Sequence, residues 1–72
     1  MDVMTVGDTI ARLRRQRNMT QAELARMVNV SNKAISKWET GRAYPDVQVF
    51  PVLADIFGVS IDYIMRGEGY ES

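Results

Sequence analysis

Apolar residues recur along this chain at intervals of three and four. Nowhere do they alternate for long, so the pattern predicts helices and no strands. Val6, Ile10 and Leu13 form the first stripe and predict a helix over residues 6–17. Arg12, Arg14, Arg15 and Arg17 lie off that stripe, and Asp8 is expected in the first turn. Acid first and base last is the order that the helix dipole favours. Asn18 follows where a helix stops on a left-handed residue, a conformation Asn tolerates better than most.

Leu24, Ala25 and Val28 predict a second helix over residues 21–28. Thr20-Gln21-Ala22-Glu23 ahead of them reads as a capping box, with Met19 placed to staple against Leu24. Asn29 offers a second left-handed stop. Val30 then turns inward, and Ser31 can cap a third helix over residues 32–39 or 32–40. Only Ala34, Ile35 and Trp38 are apolar there, and Gly41 ends it. A fourth helix is expected over residues 46–57, with Asp46 as N-cap and Gly58 as stop. Pro51 falls inside it, so either its first turn is irregular or the regular helix starts later. Ser60 caps a short fifth helix over residues 61–65, which Gly67 ends.

Five short helices in 72 residues make one all-α domain over residues 1–67, with a flexible tail expected over 68–72. The chain has no Cys and no His. Disulfides, thiolate or His-ligated metal sites and His-based catalysis are therefore excluded, and no Ser, Lys or Asp stands like a nucleophile beside a base. The reading is a protein without cofactor or metal and not an enzyme. With no membrane-length apolar run and no signal-like N-terminus, the chain is expected in the cytoplasm, with no membrane partner.

Two short helices, a turn of about three residues and a polar-faced second helix form a helix-turn-helix pattern. Small Ala25 admits a close approach, Asn29 turns the chain, and Val30 and Ile35 lock the second helix on the first. The stretch TQAELARMVNVSNKAISKWETGRAYPD, with the earlier IARLRRQRN and the later LADIFGVSIDYIM, resembles the phage repressor and Cro-type helix-turn-helix family. The resemblance covers residues 6–66. It departs at Asn18 and Asn29, where the family usually has Gly.

The resemblance implies a compact five-helix lambda-repressor-like DNA-binding domain, with the third helix in the major groove of double-stranded DNA. It assigns Asn32, Lys33, Ser36 and Lys37 to base contacts. It assigns Gln21, Thr20, Ser31 and Arg42 to the DNA backbone, and pairs Arg14 with Glu39 between helices. Trp38 is expected in the core or beneath Tyr44 and Pro45.

Val49, Val52 and Ile56 add a second apolar stripe to the fourth helix. With Tyr63 they are candidates for a homodimer or partner contact. The leading function is sequence-specific DNA binding by a bacterial or phage-type transcriptional regulator, dimeric on a palindromic operator. The alternative is an antitoxin or other protein-interaction module that also binds its own operator.

Nine basic and nine acidic residues give a net charge of zero, which argues against a nucleic-acid partner only if the charge is evenly spread. It is not. Residues 1–42 hold eight basic side chains against four acidic ones, a net of +4, and residues 43–72 hold one against five, a net of −4. The zero describes a dipolar molecule with one basic half.

Overall fold

Local capping fixes most of the helix starts in the computed structural model, which describes residues 3–67. The five helices are α1 (Val3–Gln16), α2 (Gln21–Val28), α3 (Asn32–Glu39), α4 (Val49–Phe57) and α5 (Ile61–Arg66), and there is no strand among the described residues. The tail expected over 68–72 lies outside the described residues.

At α2 the Thr20 hydroxyl accepts from the Glu23 amide at 3.0 Å, and the Glu23 carboxylate accepts from the Thr20 amide at 2.7 Å. Ser31 and Ser60 cap α3 and α5 in the same way, accepting from the Ala34 and Tyr63 amides at 3.1 and 3.0 Å. Asn18 and Asn29 adopt φ of 55° and 67°, the left-handed stops expected of them.

Two helix starts differ from the sequence expectation. The first helix begins a turn earlier, at Val3, which puts Asp8 in the second turn, where it does little for the dipole. Gly7 explains why the start is hard to see. Glycine weakens a helix by about 1 kcal/mol, yet here a Cβ would collide with the Trp38 carbonyl oxygen at the end of α3. The absent side chain lets the α1 backbone approach the backbone at the end of α3.

The fourth helix begins at Val49, not at Asp46, and Asp46 is not its N-cap. The residue in that position is Gln48, which makes no side-chain cap bond. The Asp46 and Val47 carbonyls instead accept from the Val49 and Phe50 amides at 2.8 and 3.3 Å. A helix running on from Asp46 would set the Pro51 ring against the Val47 carbonyl. Starting at Val49 makes Pro51 the third helical residue, where its missing N–H has no intrahelical partner to lose.

The apolar stripes meet in one core. α1 packs on α3 and α5, α2 on α3 and α4, and α4 on α5. Ile10, Leu24, Ile35, Leu53, Phe57 and Ile64 are fully buried at its centre, and Trp38 is buried with them. That placement settles Trp38 as a core residue. The core holds α2 and α3 rigidly at the angle at which α3 turns its polar face outward.

Candidate nucleic-acid interface

Of the residues expected to read bases, Asn32, Lys33 and Lys37 are exposed and Ser36 is half-buried. They fall at spacings of one, four and five, which one face of a helix accommodates. Lys33 and Lys37 stand one turn apart, roughly 6 Å, and repel each other in water. An anionic surface would relieve that repulsion.

The acids of this motif are taken up by intramolecular hydrogen bonds. Glu23 is taken up by the capping box. Glu39, at the end of α3, accepts from Arg14 Nε at 2.7 Å through Oε2 and from Arg14 Nη2 at 3.0 Å through Oε1. Its side chain is 5% exposed and that of Arg14 is 11% exposed. The hydrogen bonding of Arg14 to Glu39 raises the Arg14 pKa above its ordinary value and outweighs burial, which lowers it. Arg14 also donates through Nη1 to the Met19 carbonyl at 2.7 Å. One guanidinium thus ties α1 to the end of α3 and to the loop ahead of α2.

The residues expected on the DNA backbone are placed unevenly. Thr20 and Ser31 are exposed, and as caps their oxygens accept backbone N–H groups while each hydroxyl keeps a proton to donate. Arg42 is exposed, and its amide donates to the Lys37 carbonyl at 2.8 Å, fixing the chain just past α3. Gln21 is half-buried, and its Nε2 donates to Glu39 Oε1 at 3.0 Å. That link between the first residue of α2 and the last of α3 was not anticipated.

Arg12 of α1 and Arg17 just past its end also turn to the protein. Arg17 donates to the Phe57 carbonyl at the end of α4 and lies 5.5 Å over the Phe57 ring. Arg12 donates to the Gly67 carbonyl at 3.2 Å and to the Tyr63 hydroxyl at 3.4 Å. All three partners lie 40 or more positions along the chain, so no local pattern announces them. Of the second apolar stripe, Val52 is 39% exposed, whereas Val49 and Ile56 are half-buried against the core. Tyr63 is also half-buried against the core and lies under Arg12, 5.7 Å from the guanidinium. Val47, outside that stripe, is the most exposed large apolar residue among the described residues, at 81%. Among the described residues no group of three or more acids stands close enough to hold a metal ion. No described helix is long and apolar enough to cross a membrane.

A helix-turn-helix family model matches residues 10–64, a stretch that spans all of α2, the turn and α3. The chain belongs to the helix-turn-helix family. This helix-turn-helix domain is 38% identical over 65 residues to the HTH-type transcriptional activator BcrR of Enterococcus faecalis, covering 90% of this chain and 32% of BcrR. It is 34% identical over 68 residues to the repressor protein C2 of Salmonella phage P22, covering 94% of this chain and 32% of the repressor. The chain therefore spans about a third of the length of these relatives.

The solution structure of the P22 C2 repressor DNA-binding domain superposes with a TM-score of 0.81 at 34% identity, covering 93% of this chain and 88% of that one. Hydroxypropylphosphonic acid epoxidase from S. wedmorenis superposes with a TM-score of 0.79 at 20% identity, covering 88% of this chain and 34% of that one. At that identity the epoxidase shares the fold alone. The fold thus occurs within an enzyme too, and does not by itself decide function.

Proposed function

We propose that this domain binds double-stranded DNA sequence-specifically as part of a transcriptional regulator, with α3 in the major groove. The observation that carries the reading is the α3 face itself. Asn32, Lys33 and Lys37 are exposed, while the Glu39 side chain is buried in its pair with Arg14 and the exposed Glu23 is engaged by the capping box. The resulting surface is polar, cationic and rigidly backed by Ile35 and Trp38. The activator and repressor relatives support the regulatory part of the reading.

Asn32 suits adenine and Lys33 suits guanine, and each good contact of this kind is worth about 1–3 kcal/mol of discrimination. Ser36 and Lys37 complete the base-facing set. Thr20, Gln21, Ser31 and Arg42 lie where the motif meets phosphates, and these contacts fix register without reading sequence. The domain binds as a homodimer on two half-sites about one helical turn apart. Val52 is the exposed member of the α4 stripe that supplies the subunit contact. Its work on DNA places the protein in the compartment that holds the genome.

Titration of a cognate duplex at several salt concentrations separates the two kinds of contact. Lys33→Ala is expected to narrow the gap between cognate and mutated duplexes. Arg42→Ala is expected to weaken binding to both equally and to reduce the salt slope by about one. A Lys33→Ala domain with full discrimination would remove Lys33 from base reading.

A further inference from the structure

Glu39 ends α3 with both carboxylate oxygens engaged. Oε2 accepts from Arg14 Nε at 2.7 Å, and Oε1 accepts from both Arg14 Nη2 and Gln21 Nε2 at 3.0 Å. An isolated interhelical ion pair needs only the first two bonds. The third reaches the first residue of α2, ahead of which the backbone runs through Met19, whose carbonyl is held by the same guanidinium. Four chain positions, Arg14, Met19, Gln21 and Glu39, thus converge on one charged cluster. A Gln amide carries two N–H donors. With one committed to Glu39, the other is the donor left for a ligand, and the side chain no longer samples its rotamers freely.

We infer that Glu39 is a positioning residue for DNA binding, which acts through Gln21 by holding its amide ready for a phosphate before DNA arrives. The inference rests on the reading of Gln21 as a phosphate contact. It makes the pair of Arg14 and Glu39 more than a strut between helices. The pair sets where the phosphate-gripping end of α2 stands relative to the base-reading face of α3.

Charge and positioning predict opposite signs for Glu39→Gln. Deleting a carboxylate near DNA and releasing Arg14 from its partner would, by charge alone, tighten binding. Positioning predicts loss. The amide introduced by Glu39→Gln has one acceptor oxygen in place of two, so it cannot keep all three bonds. The charged guanidinium of Arg14 competes for that oxygen better than the neutral amide of Gln21. Gln21 must then be immobilised at the moment of binding, at a cost of about twofold to about tenfold in affinity.

The test is a double-mutant cycle on affinity. The probe is a random-sequence duplex of about 20 base pairs, enough for two half-sites a turn apart. Titrations are run at low salt and well below each variant's melting temperature. Glu39→Gln is expected to lose affinity in the Gln21 background and to lose nothing further in the Gln21→Ala background. Equal losses in both backgrounds, or a gain, would overturn the inference while leaving Gln21 as a contact. If Gln21→Ala binds like the wild type, the phosphate contact itself fails, and the inference with it, but the reading of α3 stands.

The wild type supplies a second measurement that needs no variant. Side-chain relaxation in the DNA-free domain should show the Gln21 amide far more ordered than that of exposed Gln48. Equal disorder at the two positions would overturn the inference.

Discussion

Gly7 shows how much a single position can decide. Its φ is not left-handed, so backbone freedom does not explain it; the explanation is the Trp38 carbonyl oxygen lying where a Cβ would go. Gly7→Ala adds one methyl and removes a helix-weakening residue, which on an open helix would stabilise by about 1 kcal/mol. Here α1 and α3 must move apart instead. Overpacking of this kind costs about 1–3 kcal/mol, so urea denaturation of Gly7→Ala should show a lower midpoint than the wild type. An unchanged or higher midpoint would mean that the two helices separate freely. The sequence alone shows a glycine within a helical stripe. Its role depends on Trp38, a partner 31 positions away, which no local pattern reveals.

At the scale of elements, the helix starts divide by the range of the forces that set them. α2, α3 and α5 begin where the sequence indicates, because Thr20, Ser31 and Ser60 bond to amides three residues ahead. α4 begins late because of Pro51, a constraint visible in the sequence, although the turn at 46–48 that accommodates it is not. The positions of Asn18 and Asn29 are legible because few residues other than glycine accept a positive φ. The cluster of Arg14, Glu39 and Gln21 is legible only in part. The resemblance implies the ion pair, but the amide of Gln21 closes on Glu39 through a tertiary approach of α2 and α3.

The ion pair makes its own prediction at this scale. Breaking a buried pair on one side strands the other charge, so Arg14→Ala and Glu39→Ala should each destabilise strongly, by about 3–5 kcal/mol. The double variant should cost less than the two single losses together, with a coupling of about 1–3 kcal/mol by chemical denaturation. Additive losses would mean that the two groups do not act as a pair. The raised pKa of Arg14 fixes the pH dependence. A raised folded-state value contributes stability that is present below the unfolded pKa and is lost only as pH rises through the folded one. Both lie beyond the range in which the domain is handled, so Arg14 adds no alkaline transition there.

Across the whole molecule the decisive feature is the division of charge. The net of zero conceals +4 in residues 1–42 and −4 in residues 43–72. Within the basic half, Arg12, Arg14 and Arg17 are engaged with the protein. Besides Arg17, the exposed basic side chains of that half are Arg15 and Arg26 with Lys33, Lys37 and Arg42, and non-specific affinity should be weaker than for a uniformly basic domain of this size.

Association belongs to this scale too. The α4 stripe reads as one face in sequence, but the structure buries much of Val49 and Ile56 and places Tyr63 under Arg12, leaving Val52 as the exposed member. Sedimentation at high concentration should show association of the wild type and its loss in Val52→Glu. Monomers in both would exclude this face as a subunit contact in the absence of DNA.

The most direct measurement is selection of binding sites from random duplex DNA by the wild type, by Lys33→Ala and by Lys37→Ala. A reading helix formed by α3 predicts an enriched motif for the wild type and altered base preferences at defined positions for the variants. No enrichment at low salt would contradict sequence-specific binding, and an identical motif in all three proteins would contradict the assignment of α3.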